Sequence, residues 1–273
     1  MSNQKPMAAE ASSSKFSSMF AAVVIPVAIV VGYLVYRFIL GDPSHFEGGN
    51  KEGHPHPGDY LGMMYKGGIL VPVLMGMMMI VISVIIERYI TINSASGKGA
   101  IAGFVRKIKQ LLDANNIDQA IGECDKQKGS VANVIREGLL KYKELEGISG
   151  LDNEHKILAI QKEIEESTSL ELPMLEKNLV ILATISSIAT LMGLLGTVFG
   201  MIRAFSAIAT AGAPDAVALS TGISEALINT ALGISTSALA IIAYNYFTTR
   251  IDSLTYGIDE AGFTIAQTYA SKH

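Results

Sequence analysis

The sequence is poor in the features that mark most enzymes and secreted domains. It has one cysteine, Cys124, so an intrachain disulfide is impossible. Charged residues make up only 17% of 273 positions, and the net charge of −4 has the wrong sign for nucleic acid. There is no phosphate-binding P-loop, no HExxH and no nucleophile elbow, so the chain reads as a non-enzyme without a cofactor. His54-Pro-His56 lacks any further run of ligands, which argues against a metal site. Without a nucleotide site, work done by this protein must be powered from outside. An ion gradient suits: one charge falling through 100 mV yields about 2.3 kcal/mol.

What the sequence has is length in apolar runs. Hydrophobic residues reach 49% and mean hydropathy is +0.37, which identifies a membrane protein. The pattern predicts an all-α polytopic chain with four transmembrane helices and long helices extending into a cytoplasmic helical domain. A Ser-rich, disordered tail (1–18) leads into a first span (19–40), too long for a cleaved signal sequence and carrying Pro26 as a kink. A Gly/Pro/His-rich connector (41–67) reads as a flexible external loop. The second span (68–92) is methionine-rich, with Met75, Met77, Met78 and Met79 as adaptable packing.

Residues 93–175 form a soluble insertion of amphipathic helices. Ile101, Phe104, Val105, Ile108, Leu111 and Leu112 share one face; Ile117, Ala120, Ile121 and Cys124 share another, making Cys124 a packed thiol. Gly129-Ser130 breaks the chain, with Ser130 as cap for a helix carrying Val131 to Tyr142. Asp152 caps a longer helix in which Lys162 and Glu166 are spaced to pair, and Pro173 kinks it before the membrane. Two further spans (176–210 and 216–249) flank a short external turn (211–215), and a final helix (250–273), weakened by Gly257 and Gly262, packs back on the insertion. Arg88, Lys98 and Lys177 near span ends place the insertion, and hence both termini, in the cytoplasm, with Arg203 snorkelling outward.

The last two spans are not uniformly apolar. Wheeled at about 100° per residue, Gly222, Glu225, Ala226, Asn229, Thr230, Gly233, Thr236, Ser237, Ala240 and Tyr244 fall within an arc of about 140°. Ala183, Ser186, Thr190, Gly193, Thr197, Gly200 and Ala204 recur likewise at steps of three or four in the preceding span. Gly196 and Gly200 form a GxxxG pair. Lipid cannot solvate hydroxyl or carboxyl groups, and a centred carboxylate costs roughly 2.5–3.5 kcal/mol by insertion scales. Helix packing alone explains any single Ser or Thr; two facing stripes and a buried Glu225 favour a polar path between helices. Asn229, on the same face, is placed to bond Glu225.

Gly193-Leu-Leu-Gly-Thr197-Val-Phe-Gly200, then Gly222-Ile-Ser-Glu225-Ala-Leu-Ile-Asn-Thr230-Ala-Leu-Gly233 and Tyr244-Asn245, resemble the signature of the MotA/TolQ/ExbB proton channel family. Gly129-Ser-Val-Ala-Asn-Val-Ile-Arg-Glu-Gly-Leu139 resembles the ExbB branch in particular. The resemblance implies a homopentamer in lipid of the cell inner membrane. In it Thr197, Thr230, Glu225 and Asn229 would line a proton pathway, while Gly193, Gly196, Gly200 and Gly233 would pack the pore helices. It implies two partners: an ExbD-like single-span subunit with a membrane aspartate, and a TonB-like protein driving outer-membrane transport. The sequence departs from the family in its additional leading span and in Leu239, which stands where a proline is usual and predicts a straighter helix. A TolQ-like or gliding or flagellar-type stator subunit, or a purely structural scaffold, are the alternatives.

Overall fold

The computed structural model describes residues 22–51, 53–148, 150, 152–210 and 216–272, so the expected tail and the turn at 211–215 lie outside the described residues. Among the described residues, nine helices of six residues or more follow one another: α1 Ala22–Leu40, α2 Tyr60–Tyr65, α3 Leu70–Ala95, α4 Ile101–Asp113, α5 Ile117–Gln127, α6 Gly129–Glu146, α7 Asn153–Glu176, α8 Leu179–Thr210 and α9 Ala216–Lys272. Four stretches are long and apolar enough to cross a membrane; their mean hydropathies are 2.3, 2.4, 2.1 and 1.8. The chain is thus an all-α, polytopic membrane protein. It divides into two compact units, one ending at Ile86 and resuming over Asn178–Tyr244, the other formed by Glu87–Lys177 and the chain from Asn245.

In the first unit, α1 packs on α3 through glycines. A Cβ on Gly32 would lie 2.9 Å from Gly76 N and Pro72 O, and one on Gly76 would lie 3.2 Å from Ile29 Cα. Backbones this close give dispersion contacts that lipid cannot replace. The remaining sides of α1, such as Val27, Val30 and Phe38, are exposed, as lipid-facing residues would be. Residues Val35–Leu40 close α1 as a π-helical turn.

The connector between α1 and α3 is ordered, contrary to the flexible loop expected from its composition. Asp59 accepts from the amides of Leu61 (3.0 Å) and Gly62 (3.1 Å), capping α2, and pairs with His45 Nδ1 at 2.7 Å. Phe46 is buried edge-on against Tyr65, which stacks on Tyr36 of α1 with centroids 4.7 Å apart. These pairings span long sequence separations, which composition does not encode.

The second unit is a helical core. Phe104, Ile108, Leu112, Val134, Ile135, Leu139 and Ile160 are buried, as is Cys124, whose thiol burial pushes up to about 12. Helix α6 begins at Gly129 itself, and Ser130 makes no cap bond; the turn is set by Lys128 and Gly129, both at positive φ, where a Cβ on Gly129 would overlap the Ala95 carbonyl. Asp152 stands at the start of α7 but makes no side-chain cap bond, whereas Lys162 lies 3.5 Å from Glu166 as expected. The break between α7 and α8 falls at Asn178, with φ 65°, rather than at Pro173. There the fully buried Arg88 donates to the carbonyls of Leu175 (3.1 Å) and Met174 (3.3 Å), end groups of α7 left without helical partners, and pairs with Glu87.

Helix α9 runs unbroken from Ala216 to Lys272, the expected last span continuing into the C-terminal helix. Its C-terminal half packs on the insertion: Tyr269 meets Tyr142 edge-to-face at 4.7 Å. Gly257 and Gly262 are close-approach positions rather than weak points, since Cβ atoms there would lie 2.6 Å from Ile101 Cγ2 and 3.1 Å from Ile164 Cγ2.

Candidate functional site

Helices α8 and α9 meet along the two small-residue stripes, within one protomer. At one crossing point a Cβ on Gly200 would lie 2.6 Å from Gly222 O, and one on Gly222 2.8 Å from Ala204 N. Further along, a Cβ on Gly233 would lie 2.5 Å from Ala189 O and one on Gly193 3.0 Å from Asn229 O. Gly196 leaves the room occupied by the Asn229 side chain. All four packing glycines singled out from the sequence therefore serve α8–α9 contact, and the stripes are close-packed where they meet rather than parted by a channel.

The polar residues divide by environment. Thr230 is half-buried; its hydroxyl donates to Ala226 O at 3.1 Å, with Gly193 O of α8 at 3.4 Å as a second acceptor. Thr197 is also half-buried and donates to Leu194 O of its own helix at 2.6 Å. It lines a shallow groove of about 560 Å³ with Val198, Met201, Ile202, Phe205 and Ser206. Both hydroxyl oxygens keep acceptor capacity.

Glu225 is buried, and Arg203 of α8 neutralises it. Arg203 Nη1 donates to both carboxylate oxygens at 2.8 Å. Arg203 makes this pair with 58% of its side chain exposed, and a paired charge costs less than a lone one in an apolar setting. One signal was available: Arg203 is the single Lys or Arg between Lys177 and Arg250, so any carboxylate buried there had one cation to meet.

Asn229 does not bond Glu225. Its Nδ2 donates to the carbonyl of Gly67 at 2.8 Å, while Oδ1 is buried without a partner among the described residues. Gly67 and Gly68 form the turn leading into α3. Gly68 has φ +78° and lies so close to Glu225 that a Cβ there would overlap carboxylate Oε1 and stand 3.3 Å from Arg203 Nη1. Sequence reasoning missed this turn, although two consecutive glycines before an apolar run are a turn signal. The site thus gathers Arg203 from α8, Glu225 and Asn229 from α9, and the Gly67–Gly68 backbone.

These features define a class: a multi-pass helical membrane protein with an ion-paired carboxylate held between its last two spans. Residues 126–260, which include both helices of the pair, match the MotA/TolQ/ExbB proton channel family. The chain is similar to TolQ of the Tol-Pal system from Pseudomonas aeruginosa, 29% identical over 159 residues, covering 58% of this chain and 69% of that one. It is also similar to biopolymer transport protein ExbB from Salmonella typhimurium, 32% identical over 159 residues, 54% of this chain and 61% of that one. An ExbB-like protein from Synechocystis is 28% identical over 186 residues, 66% and 81% of the two chains. Residues 126–260 thus carry a domain of the MotA/TolQ/ExbB proton channel family. Helices α1 and α2 and the Gly67–Gly68 turn fall before the matched stretch.

Proposed function

We propose that this protein is an ExbB-like subunit of a motor in the cell inner membrane driven by the proton-motive force. Five copies form a ring around an ExbD-like dimer, and proton flow through it drives movement that a TonB-like protein passes to outer-membrane transporters. Both termini lie in the cytoplasm. Thr197, Thr230 and Glu225, with Asn229 beside them, serve the proton pathway. The observation that carries this reading is the Glu225–Arg203 pair, a buried carboxylate that helix packing alone does not need, met by an arginine with 58% of its side chain exposed, inside a stretch matching a proton channel family.

The test is proton flux in proteoliposomes holding the chain with its co-purified single-span partner. Glu225→Gln, Thr197→Val and Thr230→Val are expected to reduce flux with the assembly intact. Wild-type flux in all three variants would refute the pathway. The similarity to TolQ favours a second reading, a TolQ-like role with a TolR-like partner. Deletion separates the two: lost iron-siderophore uptake supports the ExbB role, and a leaky envelope supports the TolQ role.

A further inference from the structure

We propose that the leading segment and Arg203 form a clamp on Glu225, in which Arg203 is a positioning residue and the Gly67–Gly68 turn is the stop that fixes the carboxylate against it. This inference rests on the reading of Glu225 as part of the proton pathway, and it gives the additional first helix a task.

Three observations converge. Arg203 Nη1 is shared between the two oxygens at 2.8 Å each, so the carboxylate is held by one donor from one direction and needs a second surface to stay in place. That surface is Gly68, whose left-handed φ of +78° and missing Cβ bring backbone against the carboxylate; any side chain would occupy its position. The turn is then tied on both sides. Asn229, one helical turn beyond Glu225, donates to Gly67 O at 2.8 Å. On the other side, the Tyr36 hydroxyl of α1 donates to Tyr65 O at 3.1 Å, and the two rings stack. Helix α1 is seated in turn on α3 through Gly32 and Gly76. The chain of contacts therefore runs from α1, through Tyr36 and Tyr65, to the turn and on to Glu225.

The titratable groups around the carboxylate are few. Arg203 comes from α8, and Tyr36 of α1 lies within electrostatic reach of both Glu225 and Arg203. Helix α3 has no ionisable side chain before Glu87, and Glu225 is the only acidic or basic residue of α9 before Arg250.

The experiment is proton flux through the intact co-purified complex in proteoliposomes, with assembly checked by size exclusion. Arg203→Gln is expected to lower flux about tenfold or more, and Arg203→Lys, which keeps the charge, to restore most of it. Arg203→Gln/Glu225→Gln should equal Glu225→Gln alone, because Arg203 acts through the carboxylate. Gly68→Ala leaves both charges in place and should lower flux as Arg203→Gln does; it carries the decision if the arginine variant fails to assemble. Flux near wild type in Gly68→Ala or Arg203→Gln overturns the clamp, as does a double variant in which the two losses multiply. If Glu225→Gln itself leaves flux unchanged, the functional reading falls, an outcome distinct from loss at Glu225 without loss at Arg203 or Gly68.

Discussion

Two Gly→Ala substitutions, Gly233→Ala and Gly103→Ala, should move stability in opposite directions. In a helix interior alanine is intrinsically better than glycine by about 1 kcal/mol. At Gly103 in α4 a Cβ would meet nothing within 4 Å, so that gain is realised and the variant is stabilised by about 0.5–1 kcal/mol. At Gly233 the same methyl would lie 2.5 Å from Ala189 O and 2.8 Å from Gly193 Cα. Carbon contacts are comfortable near 3.5–4.0 Å, so α8 and α9 must separate by about 1 Å. The obstacles are backbone atoms, which cannot rotate aside. Overpacking of this kind costs about 1–3 kcal/mol, and the separation also loosens the contacts at Gly200 and Gly222. The net result is a loss of about 1–2 kcal/mol despite the propensity gain. Thermal unfolding of the detergent-solubilised protein, followed by circular dichroism, measures both. Equal stabilisation of the two variants would refute the claim that α8 and α9 touch backbone to backbone at Gly233.

The other predictions concern the second unit and the connector. Arg88→Met should lower stability by about 3 kcal/mol, since it strands Glu87 and two helix-end carbonyls; an unchanged unfolding midpoint would contradict this. Cys124 should resist alkylation at pH 8 in the folded protein and react once denatured; fast labelling of the native chain would contradict its burial. Because its folded pKa of about 12 lies above the ordinary thiol value of 9.0, its contribution to stability is complete below pH 9 and declines as pH rises toward 12, which a pH series of unfolding midpoints on wild type and Cys124→Ala checks. Asp59 is held below the ordinary carboxylate range by its bond from the Gly62 amide, then by His45, so its stabilising cap on α2 is complete above that range and is fully lost only as pH falls below it. Hydrogen exchange at Leu61 and Gly62 should accelerate at low pH and in Asp59→Ala; equal rates would count against the cap.

The parts of this fold that were legible in the sequence are those with a local periodic cause. The stripes of α4, α5 and α6 announce themselves because each helix has one wet face and one dry face. The four spans were visible from length and apolarity alone. What escaped was decided by partners far along the chain. The connector is ordered because Phe46, Tyr36 and Tyr65 meet and His45 reaches Asp59, none of which its glycine and proline content implies. Gly257 and Gly262 look like helix-weakening residues until Ile101 and Ile164 are seen beside them. Leu239 in place of proline lies inside the continuous helix α9, where its amide can join the backbone ladder that a proline ring would interrupt.

The small-residue stripes show how two causes can be separated within one pattern. Glycine recurs on α8 and α9 because backbones approach there, and Gly193, Gly196, Gly200, Gly222 and Gly233 each face a named atom on the other helix. Those residues therefore carry no independent information about ion passage. Glu225 and Arg203 are different, because close packing gains nothing from burying a charge and needs no cation to balance it. Thr197 differs again: its hydroxyl turns back to its own helix at Leu194, and the groove it lines is made of α8 residues such as Val198 and Met201. If packing were the whole purpose of the stripes, replacing the pair together, as in Arg203→Met/Glu225→Met, would leave every function of the assembly intact and raise its stability. If the pair serves ion passage, the same replacement should stabilise the chain, or leave its stability unchanged, while abolishing flux. Measuring unfolding and flux on that one double variant sets the two causes against each other.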